Sequence, residues 1–243
     1  MTNENIRLSV IIPAYNEEKR LPKTLEAVSA YLKKQSYNFE IIVVNDGSKD
    51  ATSEVVRSRA SHINNLRLID NKENHGKGWV VRQGLLEAKG DFRLFMDADN
   101  STNIDQIEKA WPELKKGADI AIGSRDMKGA VISPPQPIYR VMLGNIFNLI
   151  VQTILGLWGF WDTQCGFKVM TAAACKKVLP KCAIARWAFD PEILVVAKKS
   201  GLKVSQFPVV WTNDPDSRVK LKGMVNMLRE IFQIKWNLIS SKY

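Results

Sequence analysis

Phe92-Arg93-Leu94-Phe95-Met96-Asp97-Ala98-Asp99 is the stretch that decides the fold class of this chain. An apolar run broken only by Arg93 reads as a buried strand, and two carboxylates one residue apart follow it directly. At the carboxyl end of a parallel strand such a pair points into the crevice where open α/β sheets bind ligands. Oxygen ligands of this kind suit Mg²⁺ or Mn²⁺, which keeps several waters and shares a diphosphate with the protein. A nucleotide-diphosphate substrate is the natural expectation. Taken alone, Asp-x-Asp is common, and two aspartates capping a helix that starts near Asn103 would be the favoured reading. The rest of the chain reverses that.

Working outward, the amino-terminal two-thirds alternates strands and helices. Leu8 to Ile12 is a β-branched apolar run ended by Pro13, and helical periodicity follows through Leu21, Leu25, Val28 and Leu32. Glu40 to Val44 is a second strand, stopped by Asn45-Asp46-Gly47-Ser48, with Ser48 or Asp50 able to cap a helix from Thr52. Leu66 to Ile69, Phe92 to Met96 and Asp119 to Ile122 complete the set, with a helix from Gly78 to Ala88. Such alternation implies right-handed crossovers and a mostly parallel α/β sheet with helices on both faces. The strand ends at Pro13 to Glu17, Asp46 to Ser48, Asp97 to Asp99 and Gly123 to Arg125 then open onto one side.

Beyond Arg125 the pattern changes. Ser133-Pro134-Pro135-Gln136-Pro137 is rigid and extended, and Val141 to Trp161 carries no formal charge. That segment has the length of a bilayer span, roughly 20 residues. Asn145, Asn148, Gln152, Thr153 and three glycines interrupt it, so an interfacial or groove-lining helix is favoured over a spanning one, with an internal core helix equally open. Glu192 to Lys199 reads as helix, Val204 to Trp211 as strand and Leu221 to Trp236 as an amphipathic helix with basic Lys222, Arg229 and Lys235.

The chain has 243 residues and a formal net charge of +10, which calls for an anionic partner: a phosphorylated substrate, an acidic membrane surface or nucleic acid. No zinc-finger spacing, basic heptad region or RNA-binding strand motif is present, and nucleic acid is not expected. Cys165, Cys175 and Cys182 form no Cys-x-x-Cys pair, so neither a disulfide framework nor a zinc site is encoded. The polar Met1 to Arg7 leads straight into a strand without signal-peptide character, and a cytosolic active face is expected.

Three stretches together, Val10 to Glu17, Val43 to Ser48 and Asp97 to Asp99, resemble the signatures of inverting glycosyltransferases of the GT-A fold. Asp162 to Lys168 and Arg186 to Asp190 resemble more narrowly the dolichyl-phosphate β-glucosyltransferases, relatives of the polyprenyl-phosphate mannose synthases. The resemblance covers nearly the whole chain. It implies one GT-A domain over 1–243, Rossmann-like, with 1–125 as the nucleotide-sugar half. Residues 126–243 form the acceptor half, with an interfacial helix at about 137–161 and amphipathic helices for membrane or lipid contact.

Residue by residue, the resemblance assigns Pro13, Ala14, Tyr15, Glu17 and Asp46 to the nucleoside. A carboxylate can accept the uracil N3–H and a backbone turn can frame the base, while Asp46-Gly47 equally reads as a plain turn. Ala98 joins that subsite. Lys77 sits at a helix amino terminus, where an anion site and a solvated lysine are both open. Asp97 and Asp99 are the metal ligands by resemblance, Asp99 the more direct, for a cation acting as Lewis acid on the departing diphosphate. Where mannose synthases place Gln as a further ligand this chain has Ser101, which favours UDP-glucose over GDP-mannose. Arg125 and Arg140 match arginines that grip the acceptor phosphate, Lys168 stands on the acceptor side, and Ser217-Arg218 resembles a loop that closes over the diphosphate. Asp162 or Asp190 could orient the acceptor or act as weak base, or could be ion-paired structural carboxylates.

The implied reaction is transfer of glucose from UDP-glucose to a polyprenyl phosphate with inversion. The alternatives are a GDP-mannose-dependent synthase, a transferase to a soluble sugar, and a non-catalytic nucleotide-sugar-binding protein. Relatives often carry separate transmembrane helices. Peripheral attachment to the cytoplasmic face of a membrane, or a partner membrane protein, is therefore expected.

Overall fold

A computed structural model describes residues 5–213 and 221–243, and only the backbone of residues 140, 221, 222, 224 and 225. Its centre is a seven-stranded sheet. The strands are β1 (Leu8–Ala14), β2 (Phe39–Asp46), β3 (Leu66–Asn71), β4 (Phe92–Met96), β5 (Ile120–Ser124), β7 (Phe167–Thr171) and β8 (Val204–Pro208), in the order β3-β2-β1-β4-β7-β5-β8. A ribbon of β6 (Val131–Ser133) and β9 (Val210–Thr212) stands apart.

The central strands read as continuous apolar runs because both faces are covered. Alternate side chains enter opposite cores: Ile11, Ile42, Val44 and Phe95 pack in one, and Val10, Ile12, Ile41, Val43, Leu94 and Met96 in the other. The second core is closed by α1 (Leu21–Leu32), α2 (Thr52–Ala60), a 3₁₀ turn at Ile104–Lys109 and α4 (Ala110–Lys115). The first is closed by α3 (Lys77–Glu87), α5 (Ile138–Leu155), α6 (Ala172–Val178), α7 (Phe189–Lys199) and α8 (Leu221–Ile239).

Four details differ from the sequence expectation. β1 continues through Pro13 to Ala14, because its ladder to β4 stops at the pair Ile11↔Phe95 and leaves room for a residue without an N–H. β2 likewise runs on into Asp46. β7 was not expected at all: it lies antiparallel between β4 and β5, and its Lys168 breaks the apolar pattern that marks a central strand. The single strand expected from Val204 to Trp211 is two, since the chain leaves the main sheet after Pro208 to pair with β6.

The uncharged segment forms neither an internal core helix nor a span. α5 buries Phe147, Val151 and Leu155 and exposes Ile138, Met142, Ile146 and Leu149. It ends at Gly156, whose φ of +67° is the left-handed cap glycine favours. α8, which packs on α5, buries Met227, Ile231 and Ile234 and exposes Phe232, Trp236 and Ile239. No helix among the described residues is long and apolar enough to cross a membrane.

Candidate active site

The carboxyl ends of β1, β2, β4 and β5 meet in one cleft of about 1090 Å³. Pro13 to Glu17, Asp46, Lys77, Asp97, Ala98, Asp99 and Arg125 all line it, with α5 forming an opposite wall through Tyr139, Val141, Leu143 and Phe147. A crevice at the strand ends of an open sheet follows from the crossover topology, since loops rather than helices cover that edge.

On the nucleotide side the loops brace one another. Asn16, at φ +55°, donates its backbone N–H to Ser48 Oγ (2.9 Å) and accepts from the Lys49 N–H (2.8 Å), and the Glu17 N–H reaches Thr52 Oγ1 (2.8 Å). Glu17 is ion-paired with Arg20 at 2.6 Å. Asp46 accepts from the N–H groups of His75 (2.7 Å) and Gly76 (3.0 Å) and from Asn74 Nδ2 (2.9 Å). Both readings of Asp46-Gly47 therefore coexist. Gly47 turns at φ +67°, where a Cβ would meet the Glu73 backbone at 2.5 Å, while Asp46 faces the cleft. Burial pushes the Asp46 carboxyl above its ordinary value despite these donors.

Lys77, the first residue of α3, pairs with Asp97 at 2.5 Å and is not a solvated surface lysine. Burial alone would lower its pKa, but Asp97, Asp190 and Asp99 outweigh it and hold the ammonium charged. Asp99 accepts from the Ser101 N–H at 2.9 Å, and Thr24 Oγ1 donates to the Ala98 carbonyl at 2.6 Å, so the Asp-x-Asp turn is held from both sides. Behind it stands Gly166. Its carbonyl accepts the Asp97 N–H at 3.2 Å, and a Cβ at this position would lie 1.9 Å from Asp97 Oδ2.

Asp162 and Lys168 are each paired with a neighbouring charge. Asp162 is 1% exposed, absent from the cleft wall, and bonded to Arg125 through the backbone N–H (2.9 Å), Nε (2.7 Å) and Nη2 (2.8 Å). Burial raises its carboxyl, yet the Arg125 charge and these donors win and hold it below the usual range. Asp162 thus braces Arg125, which is the ion-paired carboxylate reading that the sequence left open. Lys168 is also 1% exposed, with Nζ bonded to Asp190 Oδ1 and the Cys165 carbonyl, both at 2.6 Å. Its ammonium is thus held on Asp190 and does not line the cleft. Asp190 itself lines the cleft, and burial pushes its carboxyl up even with Lys168 beside it.

Arg140 contributes only its place on α5, and Arg218 with Ser217 lies outside the described residues. Sequence reasoning missed Arg186, Trp187, Trp211 and Gln164 on the cleft wall. Gln164, Arg186 and Trp187 stand inside the stretches 162–168 and 186–190, and that resemblance was the available signal. The three cysteines are buried free thiols, and burial pushes Cys165 and Cys175 up to about 12, which leaves them unfit as nucleophiles.

Among the described residues no group of three His, Cys, Asp or Glu could hold a metal ion. What the cleft offers is the Asp97 and Asp99 pair. Two carboxylates fit Mg²⁺ or Mn²⁺ if water and substrate phosphate complete the shell, as is usual for these ions at nucleotide sites.

Comparison with known proteins gives the family and the fold. Residues 9–179 match the model of glycosyl transferase family 2. A dolichyl-phosphate beta-glucosyltransferase of Trichomonas vaginalis is 39% identical over 240 residues, covering 95% of this chain and 73% of that protein. The Homo sapiens protein of the same name is 34% identical over 229 residues, covering 88% and 69%. Among solved structures, glucosyl-3-phosphoglycerate synthase of Mycobacterium tuberculosis, in complex with Mn²⁺, uridine diphosphate and glucosyl-3-phosphoglycerate, superposes with a TM-score of 0.69 at 17% identity, covering 94% of this chain and 78% of that one. That likeness fixes the fold as GT-A. By its family match and its relatives, the chain belongs to glycosyltransferase family 2 and groups there with the dolichyl-phosphate beta-glucosyltransferases.

Proposed function

We propose that this protein transfers glucose from UDP-glucose to a polyprenyl phosphate with inversion, releasing UDP, at the cytoplasmic face of a membrane to which it attaches peripherally. One observation carries the reading: Asp97, Asp99, Lys77 and Arg125 converge in a cleft whose far wall is the apolar helix α5. Three kinds of group are needed to join a nucleoside diphosphate sugar to a lipid phosphate, and all three are there. The names of the relatives supply the sugar and acceptor class.

In this reading residues 1–125 hold the donor, with Pro13, Ala14, Tyr15, Glu17 and Asp46 at the nucleoside and Lys77 at the diphosphate. Asp97 and Asp99 would hold Mg²⁺ or Mn²⁺, which supplies charge neutralisation for the leaving diphosphate. Residues 126–243 hold the acceptor. Arg125, kept charged and oriented by Asp162, meets the acceptor phosphate, with Arg140 as a second guanidinium. A phosphate monoester with its second pKa near 6 is largely dianionic at neutral pH, so no strong general base is required. Its oxygen attacks the anomeric carbon from the face opposite the diphosphate, and the electron pair of the breaking C–O bond leaves with UDP. Asp190, tied to Lys168, orients rather than deprotonates. The exposed apolar residues of α5 and α8 lie in the headgroup layer, where the isoprenoid chain leaves the cleft.

Labelled UDP-glucose and GDP-mannose offered with a short-chain polyprenyl phosphate and Mn²⁺ test this. Lipid-linked glucose with equimolar UDP is expected from UDP-glucose alone, and Asp99→Asn should cut the rate by about 10³-fold. Product from GDP-mannose would reassign the donor. Donor binding without any transfer would leave a nucleotide-sugar-binding protein.

A further inference from the structure

Between α6 and α7 the chain crosses under the cleft as the loop 182–188, and this loop is hung on carboxylates that the transfer reaction does not use. Glu192 of α7 accepts the N–H groups of Ala183 and Ile184, both at 2.9 Å, and is tied to the Tyr243 hydroxyl at 2.6 Å. Glu230 of α8 accepts the N–H groups of Trp187 (3.1 Å) and Ala188 (2.9 Å). Those two amides lie at and just before the N-cap of α7, Ala188, whose own side chain caps nothing.

The far side of the loop touches the site itself. The carbonyls of Ala185 and Arg186 accept the N–H groups of Trp79 (3.0 Å) and Gly78 (3.1 Å), in the first turn of the helix that begins with Lys77. Contact here is tight: a Cβ on Gly76 would lie 2.5 Å from the Ala185 carbonyl oxygen. The Trp187 ring stands 5.9 Å from Lys77 Nζ, and Arg186 is close enough to Asp46 to pull on its charge. A path of hydrogen bonds and connecting backbone therefore runs from α8 through Glu230 and the loop to the first turn of α3, whose Lys77 pairs with Asp97.

We propose that Glu230 is a positioning residue: it holds the loop carrying Arg186 and Trp187, and through it Lys77, in register with Asp97, and so makes turnover depend on how α8 is seated. Phe232 and Trp236, two and six residues further along the same helix, are exposed. Whatever seats that outer face also sets Glu230. This proposal rests on the glucosyl-transfer reading.

Glu230→Ala, Glu230→Gln and the unaltered protein are to be compared in the labelled-donor assay, with amide hydrogen exchange at residues 185–188 and thermal unfolding. Transfer by the unaltered protein tests the function and is scored first. In Glu230→Ala the amides of Trp187 and Ala188 should exchange about tenfold faster. Its kcat should fall by about 10- to 100-fold as the loop shifts, with Tm lower by only about 2–4 °C. Glu230→Gln keeps an accepting oxygen and should recover most of the kcat. Unchanged kcat in Glu230→Ala, or a loss that matches the unfolded fraction, overturns the assignment. Should Glu230→Ala fail to fold, Glu230→Asp takes its place with the same two outcomes, since it withdraws the oxygens by one carbon.

Discussion

The cleft edge of the sheet and the α5–α8 face are built from similar apolar residues with opposite fates. Ile11 of β1 is 0% exposed and Ile138 of α5 is 78% exposed. A central strand is covered on two faces, whereas α5 has the domain on one side only. Around the cleft the polar groups are also closed on themselves, as Asp46 on loop 74–76, Lys77 on Asp97, and Arg125 on Asp162. On the α5–α8 face the open side carries Met142, Ile146, Phe232 and Trp236. Apolar composition therefore marks two things in this protein: a core that holds the site in place, and an uncovered face that the proposed function assigns to lipid.

Breaking the rigid region should cost most. Asp162→Asn removes the charge partner of Arg125 and should lower stability by about 3 kcal/mol, or Tm by about 6–12 °C. Its pH dependence has a definite sign. The folded carboxyl of Asp162 lies below its unfolded value, so its contribution is complete above about pH 4 and declines as pH falls toward the folded pKa. Calorimetric scans should show wild type and variant converging in acid and diverging at neutral pH. A constant gap would detach the ion pair from that stability.

Gly166→Ala sharpens the comparison by separating fold from chemistry. The added Cβ meets the movable carboxylate of Asp97 rather than backbone, so the fold accommodates it but Asp97 must turn away. Turnover should fall by about 100-fold with Tm nearly unchanged. Equal activity would mean that Asp97 is not needed where it stands.

The open face should respond most mildly and only when lipid is present. Ile146→Asp is expected to leave Tm and transfer to a short, water-soluble acceptor unaltered, while transfer on vesicles falls by about tenfold, the loss of one buried aliphatic side chain. An equal drop on both acceptors would place Ile146 in the acceptor pocket instead.

Much of this was legible beforehand. The alternating strands and helices from Leu8 to Ser124 follow from periodicity, because each helix stripe and strand run has one way to be buried. The Asp97-Ala98-Asp99 turn and its meeting with Asp46 and Arg125 follow from topology, since parallel strands deliver their ends to one edge. β7 was not legible: its Lys168 looks like a surface residue until Asp190, 22 positions away, supplies the partner. For the same reason the sequence left Asp162 open between an acceptor group and an ion-paired carboxylate and set Lys168 on the acceptor side, while the fold pairs them with Arg125 and Asp190. Pairing between distant charges leaves no local pattern.

The order of residues by itself determined the α/β class, the strand ends that carry the polar turns, and the family, because those depend on local periodicity and on short motifs. Tertiary structure alone decided which charges face the cleft and which are spent on one another, and which side of α5 and α8 stays uncovered. Those outcomes depend on what the rest of the chain brings within about 3 Å of a hydrogen-bonding group, and that proximity is written in no stretch of the sequence.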